Sequence, residues 1–252
     1  MKYLYPAALL VATLLSASCK KEIDYIGQHY NDASPYDIAK ITWIQPWGDP
    51  DTLTFNYDKW GNPTTIIRPR PSTGTPNFEF RYDANHRLTD YIGTYTNHIV
   101  AEFWHRYIYN AHGLITTDSM YVFPAIVNGQ IDHSVGDARA SQLTYDRLGR
   151  IIKEVPAYGL YDSLVFSYDA AGNRTDEGPF DDKVNFHRTN KIWMFIDRDY
   201  SINNPFIATS YNKAWLPLHF SWITSEGFFA SFLYQNYLQD ATVTYTLAKK
   251  IP

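Results

Sequence analysis

The chain has 252 residues, with 22 Lys and Arg, 26 Asp and Glu and a formal net charge of −4. It contains no block of five or six like charges, and this excludes the basic patches that are typical of nucleic-acid binding. Aromatic residues make up 17% of the sequence and include 21 Tyr, which favours pleated, half-buried β-strands.

The first 36 residues predict a leader and a tether. Residues 1–18 have the features of a signal peptide: a basic Lys2, a 13-residue apolar run over 3–15, and small residues before Cys19. About 20 residues are needed to cross a bilayer, so this run is too short for a permanent transmembrane helix. Residues 19–36 are polar and predict a tether, which leaves residues 37–252 as a single β domain.

Cys19 is the only cysteine, and it directly follows Ser16-Ala17-Ser18. A lone cysteine in this context resembles the lipobox of bacterial lipoproteins, in which the sulfur is diacylated. The resemblance implies lipidation at Cys19 and a lipid-anchored protein of a Gram-negative cell envelope, in the outer membrane on its periplasmic or surface side. The alternative is an ordinary secreted protein with an incidental cysteine.

A short motif recurs six times in the predicted domain. Each copy has a tyrosine followed by Asp or Asn, and most have an apolar residue two positions before the tyrosine. The copies are centred on Tyr57-Asp58, Tyr82-Asp83, Tyr109-Asn110, Tyr145-Asp146, Tyr168-Asp169 and Tyr211-Asn212. The apolar–polar–Tyr order has a period of two, which predicts strands with one buried face.

Turn-forming residues follow each tyrosine. A short carboxylate such as Asp58, Asp146 or Asp169 at the start of a type I turn can accept hydrogen bonds from the backbone N–H groups of that turn. The fourth residue after the tyrosine is Gly61, His86, Gly113, Gly149, Gly172 or Trp215. Four glycines at one offset predict positive φ and a turn closed by a β-bulge, so each motif predicts a β-hairpin.

The motif resembles the YD-repeat family, whose members carry Tyr-Asp-x-x-Gly-Arg-Leu-Thr. The best-matching copies are Tyr145-Asp-Arg-Leu-Gly-Arg-Ile-Ile152 and Tyr168-Asp-Ala-Ala-Gly-Asn-Arg-Thr175. In large family members, dozens of repeats wind a β-sheet into a hollow shell around a toxin, and six copies are too few to enclose a protein. The lipoprotein-like start, the repeats and the segment 198–204 are also similar to a family of bacterial lipoproteins of unknown function described as having a porin-like fold.

Other elements complete the prediction in chain order. Residues 37–45 and 52–57 predict the first two strands, and residues 101–109, apolar on both faces, predict a strand covered on both sides. Apolar residues at helical spacing predict a short helix over residues 190–199, and residues 227–238 and 241–247 predict a final hairpin. The fold class is therefore all-β: an antiparallel hairpin meander in sequence order, forming a large curved sheet or a barrel-like shape.

Candidate catalytic residues are few. The sequence contains no GxSxG, HExxH or P-loop motif. His98, His105 and His112 are seven residues apart and alternate between the faces of regular strands, so we predict no metal site and no cofactor. Asp176-Glu177 and Asp181-Asp182 could flank a glycosidic bond or bind calcium, but a solvated turn is the favoured interpretation.

These observations favour a membrane-anchored, non-enzymatic binding or scaffold module of the cell envelope. Its partners would be the membrane, through the lipid anchor, and a glycan or a protein. Of the seven Trp residues, Trp60 and Trp215 lie in predicted turns and are expected to be exposed. The alternative is a periplasmic or surface glycan hydrolase, which would use the aromatic residues and the carboxylates at 176–182.

Overall fold

Alternating apolar and polar residues form fifteen strands in the computed structural model, which describes residues 35–45, 48–132, 137–156, 162–206, 208–224 and 237–248. The strands are β1 (Tyr36–Ile44), β2 (Pro50–Tyr57), β3 (Pro63–Ile67), β4 (Asn77–Tyr82), β5 (Leu88–Thr94), β6 (Ala101–Tyr109), β7 (Ile115–Val122), β8 (Ile126–Val127), β9 (Gln130–Ile131), β10 (Asp137–Tyr145), β11 (Ile151–Pro156), β12 (Leu164–Val165), β13 (Ser210–Tyr211), β14 (Pro217–Thr224) and β15 (Tyr237–Leu247). A 3₁₀ helix (Phe186–Thr189) and helix α1 (Lys191–Ile196) lie between β12 and β13.

Thirteen of these strands form one antiparallel sheet, and β8 and β9 form a separate hairpin. The order is β12-β11-β10-β7-β6-β5-β4-β3-β2-β1-β15-β14-β13. The predicted all-β hairpin meander is therefore confirmed, but strict sequence order is wrong at the C-terminus. There β15 pairs with β1, because the chain between β12 and β13 leaves the sheet. Among the described residues β12 and β13 do not pair, so the sheet is open rather than closed.

The predicted final hairpin also differs. The partner of β15 within the C-terminal hairpin is β14, with Thr224 opposite Tyr237. Most of the segment predicted as its first strand, residues 227–236, lies outside the described residues.

A ladder of tyrosine hydroxyls joins consecutive hairpins. The hydroxyl of Tyr82 donates to the carbonyl oxygen of Pro63 at 2.7 Å, and that of Tyr109 donates to Leu88 at 2.8 Å. Each acceptor lies six residues after the tyrosine of the preceding motif. The same bond joins Tyr57 to Ile38, Tyr145 to Ile115, Tyr168 to Ile151 and Tyr245 to Pro217. Phenylalanine would fill the same space without this bond, so the ladder accounts for five of the six motif tyrosines, while the hydroxyl of Tyr211 donates to Asp181.

Helix α1 packs on one face of the sheet. The ring centroid of its Trp193, which is fully buried, lies 5.6 Å from those of both Phe55 in β2 and Phe80 in β4, with the rings nearly perpendicular. Tyr107 in β6 meets Phe195 edge-on at 5.0 Å. These edge-to-face contacts fix the helix across the strands from β2 to β6.

The helix is shorter than the predicted range of 190–199. Asn190 is its N-cap, and the side-chain oxygen of Asn190 accepts from the N–H of Ile192 at 3.0 Å. At the other end, Asp197 is the C-cap, and Arg198 takes φ +54°, a left-handed conformation that stops the helix.

The opposite face of the central strands is covered by the β8–β9 hairpin. Trp104 of β6 packs there with Ile92, Ala101 and Ile131, while its neighbour Phe103 points to the other face. Both Phe103 and Trp104 are fully buried. The prediction that residues 101–109 are covered on both sides is therefore confirmed for residues 101–105, whereas Ile108 near the end of the strand is 54% exposed.

Candidate functional site

The six predicted turns share one hydrogen-bonding pattern. In the first, Asp58 Oδ1 accepts from the N–H groups of Trp60 at 2.8 Å and Asn62 at 2.9 Å, and the N–H of Gly61 donates to the Asp58 carbonyl at 3.2 Å. Side-chain oxygens accept turn N–H groups in the same way at Asp83, Asn110, Asp146, Asp169 and Asn212. The strand register shifts at the tyrosines of five of these turns, as a bulge requires.

The fourth residue after each tyrosine has positive φ. The values are +81° at Gly61, +58° at His86, +77° at Gly113, +74° at Gly149, +87° at Gly172 and +62° at Trp215. His86 and Trp215 therefore adopt the same turn conformation as the four glycines, although neither is a glycine. A residue with a Cβ is disfavoured in this region by roughly 1–2 kcal/mol, so these two turns carry backbone strain.

All six turns lie at the same end of the strands. Five of them connect a strand that runs toward this end to an antiparallel neighbour that runs away from it, and the turn at 169–173 is closed by the Tyr168–Arg174 bridge. We call this end the turn edge; it comprises residues 58–62, 83–87, 110–114, 146–150, 169–173 and 212–216. The chain also enters and leaves the domain here. Tyr36 at the start of β1 is opposite Leu247 at the end of β15, and the N–H of Ala248 donates to Pro35 at 2.8 Å.

Two tryptophans of the turn edge are exposed, as the sequence predicted. Trp60 is 47% exposed and Trp215 is 56% exposed, whereas Trp43, Trp104 and Trp193 are at most 2% exposed. The ring centroid of Trp60 lies 4.0 Å from that of His86 in the next turn, and the Lys59 amine lies 4.3 Å from the Trp60 centroid. Adjacent turns are thus close enough to act as one surface.

A shallow cleft of about 280 Å³ lies beside Trp215. It is lined by Asp182, Lys183, Val184, Ile202, Asn203 and Trp215. The Lys183 amine lies 4.2 Å from the Trp215 ring centroid and 2.9 Å from Asp182 Oδ1. The cleft therefore combines an aromatic ring, a cation and a side-chain amide at the turn edge.

A buried polar cluster surrounds His187, a residue that the sequence did not single out. His187 Nε2 lies 2.7 Å from Asp197 Oδ2, and Nδ1 lies 3.0 Å from Asp199 Oδ2 and 2.9 Å from Asn185 Oδ1. Burial acts to lower the pKa of His187, but hydrogen bonds to the two carboxylates outweigh it and raise the pKa to about 10. Burial raises the pKa of Asp199, but His187 has the larger combined effect and holds that pKa well below its usual range. His187 is therefore a buried cation held between two carboxylates.

Arg198, which follows the helix, reaches the sheet, where its Nη2 lies 2.8 Å from Asp118 Oδ2 and its Nε lies 3.0 Å from Glu154 Oε2. Burial acts to lower the pKa of Arg198, but Glu154 and Asp118 have the larger combined effect and raise it above its usual value. The guanidinium therefore stays charged. Because Asp118 is also 2.7 Å from the Nδ1 of buried His105, this His is held in an internal pair.

The carboxylates between 176 and 182 make separate internal pairs. Asp176 and Glu177 both bind Arg174, at 2.5 and 2.7 Å. Asp181 accepts from the side chains of Asn204 at 3.1 Å and Tyr211 at 2.7 Å, which ties β13 to the segment 198–204. Burial and the nearby Asp199 raise the pKa of Glu177 to about 7, while Arg174 opposes this shift.

Thr209, His219 and Asp240 lie in a line across the C-terminal strands. Thr209 Oγ1 is 2.6 Å from His219 Nδ1, and His219 Nε2 is 2.8 Å from Asp240 Oδ1. Thr209 Oγ1 is also 3.1 Å from the His219 carbonyl, to which it can give its single proton. The side chain of Asp240 is 64% exposed, so the contact between His219 and Asp240 is open to water. It links β14 to β15 and does not form a water-excluded reaction centre.

Cys19, the predicted lipidation site, lies outside the described residues. Among the residues that are described, no group of three or more His, Cys, Asp or Glu side chains is arranged to hold a metal ion. Over the same ranges, no helix has both the length and the hydropathy that a membrane crossing requires.

The similarity of this chain to solved structures is weak. No family model and no curated protein matches the chain. A solved structure that resembles it is the crystal structure of TcdB2-TccC3-Cdc42, with 11% sequence identity and a TM-score of 0.26. The similar region covers 52% of this protein and 8% of the matched chain, so it spans less than a tenth of the length of the matched chain.

Proposed function

We propose that this chain is a lipid-anchored protein of the Gram-negative cell envelope whose β domain is a non-enzymatic binding scaffold, with the turn edge as its binding surface. The observation that carries the proposal is the repeated turn. One backbone frame is used six times, yet the side chains on it differ from turn to turn. A rigid scaffold that presents variable residues on loops is a common design for binding proteins.

The polar groups beneath the turn edge support a scaffold role. Arg174, His187 and Arg198 each hold two carboxylates, so their charges are compensated inside the domain. Such buried networks fix the position of the segments that carry them.

Cell fractionation tests the anchor. We expect the wild-type protein to label with a fatty acid and to stay in the outer-membrane fraction after a high-salt wash, while Cys19→Ala is released by that wash. Retention of Cys19→Ala after the wash would contradict the lipid anchor. The purified Cys19→Ala chain should also leave glycan substrates intact, and turnover that Asp181→Ala abolishes would contradict the non-enzymatic role.

A further inference from the structure

Five large apolar side chains are exposed on or beside the turn edge. Trp60 is 47% exposed, Leu114 36%, Ile202 46%, Trp215 56% and Leu247 70%. Ile202 belongs to the edge because its Cδ1 would lie only 2.8 Å from a Cβ built on Gly172. Leu247 belongs to it because β15 ends there, opposite Tyr36. Tryptophan is the side chain that most prefers the headgroup layer of a membrane, since its ring is apolar and its N–H is polar.

The tips of the turns carry cations and no carboxylates. The tips are the three positions after the Asp or Asn of each turn: Lys59-Trp-Gly61, Ala84-Asn-His86, Ala111-His-Gly113, Arg147-Leu-Gly149, Ala170-Ala-Gly172 and Lys213-Ala-Trp215. Their charge is +3 from Lys59, Arg147 and Lys213, in a chain whose net charge is −4. Lys59 and Lys213 are exposed.

The carboxylates at the bases of the turns are bound to the protein itself. Asp58 accepts from backbone N–H groups, and Asp83 and Asp146 also pair with Arg87 and Arg150 at 2.6 and 2.7 Å. The tips of the turns therefore carry net positive charge, and the exposed Asp182 beside Trp215 is paired with Lys183 at 2.9 Å. These tips suit a surface of anionic headgroups, which attracts Lys and Arg side chains near it.

The proposed anchor at Cys19 would keep this edge near a membrane. β1 begins at the turn edge with Tyr36, and residues 20–35 are the sixteen residues that separate it from Cys19. Even fully extended, sixteen residues reach about 55 Å. Anchoring through Cys19 would thus hold the turn edge within this distance of the bilayer, and the opposite end of the strands, near Ile99 and Val127, lies one strand length further from the point of attachment.

We infer that the turn edge lies on the anionic phospholipid surface of the membrane that carries the anchor, with Trp60 and Trp215 in the headgroup layer and Lys59, Arg147 and Lys213 beside lipid phosphates. This inference rests on the proposed function, because it names the ligand of the binding edge. The interaction is a second membrane signal added to the acyl chains, and two such signals bind more stably than one.

Vesicle sedimentation of the full chain carrying Cys19→Ser tests the inference without the anchor. We expect binding to vesicles of phosphatidylethanolamine and phosphatidylglycerol, weaker binding to phosphatidylcholine, and release by high salt. Lys59→Gln and Lys213→Gln should each weaken binding by about fivefold, and the double variant Trp60→Ala/Trp215→Ala should bind least. The matched control is Ile99→Ala/Val127→Ala, which removes exposed apolar residues from the opposite edge and should bind like its parent.

The outcomes separate the two proposals. No binding to anionic vesicles, equal binding to phosphatidylcholine, or an equal loss in the control variant would overturn the inference. If the acylated wild-type protein still stays in the membrane fraction after the salt wash, the proposed anchor stands regardless. Urea melts of the same purified variants show that each is folded, so a loss of binding reports on the surface and not on stability.

Discussion

The hydroxyl of Tyr109 donates a hydrogen bond of 2.8 Å to the carbonyl oxygen of Leu88, the first residue of β5. Leu88 lies six residues after Tyr82, and Tyr82 makes the same bond to Pro63 one hairpin earlier. The tyrosine hydroxyl of each hairpin therefore donates to the carbonyl of the first residue after the turn of the preceding hairpin. This contact between hairpins explains how the motif keeps its geometry although the spacing between copies varies.

Tyr109→Phe should destabilise the domain. The variant keeps the ring but leaves the Leu88 carbonyl without this donor, so we expect a loss of about 1–2 kcal/mol in the free energy of unfolding. Tyr168→Phe is the matched control, because the Tyr168 hydroxyl lies 3.5 Å from the Ile151 carbonyl and so makes a weaker bond. Urea melts at constant m-value measure the loss of unfolding free energy in each variant, and we expect the smaller loss for Tyr168→Phe. Equal losses would show that the ladder bonds do not contribute as proposed.

The pH dependence of stability should report on His187. Its folded pKa of about 10 is above the unfolded value of 6.5, so the folded state binds the proton more tightly. The resulting stabilisation is fully present below pH 6.5 and is lost as the pH rises from 6.5 to 10. We expect the free energy of unfolding of the wild type to fall over this window, and His187→Gln to remove most of that slope. An unchanged slope in the variant would contradict the charged His187–Asp199 pair.

Arg198→Met should be severely destabilising. It leaves Asp118 and Glu154 with one partner fewer in a buried site, and removing one member of a buried ion pair costs about 3–5 kcal/mol. Arg81→Met is the control, since Arg81 and Glu79 are each about 30% exposed and their contact should contribute less than about 1 kcal/mol. Thermal and urea melts of the two variants should differ clearly. Similar stabilities would mean that Arg198 is not the link between the helix and the sheet.

His86→Gly should be neutral or stabilising. The wild-type residue has φ +58°, so glycine would relieve strain of roughly 1–2 kcal/mol, offset in part by the lost contact with Trp60. His112→Gly is the control: it is an exposed turn histidine, and it is not among the residues with positive φ. We expect His112→Gly to destabilise by about 0.5 kcal/mol, because glycine gains freedom in the unfolded chain. The opposite ranking in urea melts would contradict the strained turn.

The motif predicted the hairpins because its information is local. Each turn depends on residues within six positions of its tyrosine, so six copies of one pattern were enough to predict the antiparallel meander. The pairing of β1 with β15 could not be predicted in this way, since no residue of either strand specifies a partner some 200 positions away. The partners of Arg198 were missed for the same reason: Asp118 and Glu154 lie on distant strands. His187 lacks any motif, and only the Asn caps on both sides of it hint at an ordered segment.

The unfolding free energy of Gly113→Ala tests the repeated left-handed turn most directly. Gly113 has φ +77°, and a Cβ built on it meets no atom within 4 Å, so any loss on substitution comes from the backbone conformation alone. We predict that Gly113→Ala loses roughly 1–2 kcal/mol, and that Gly113→Asn loses less because Asn tolerates this region better. If urea melts show both variants to be as stable as the wild type, the fourth residue after the tyrosine does not require a left-handed backbone, and the shared turn that defines the binding edge is contradicted.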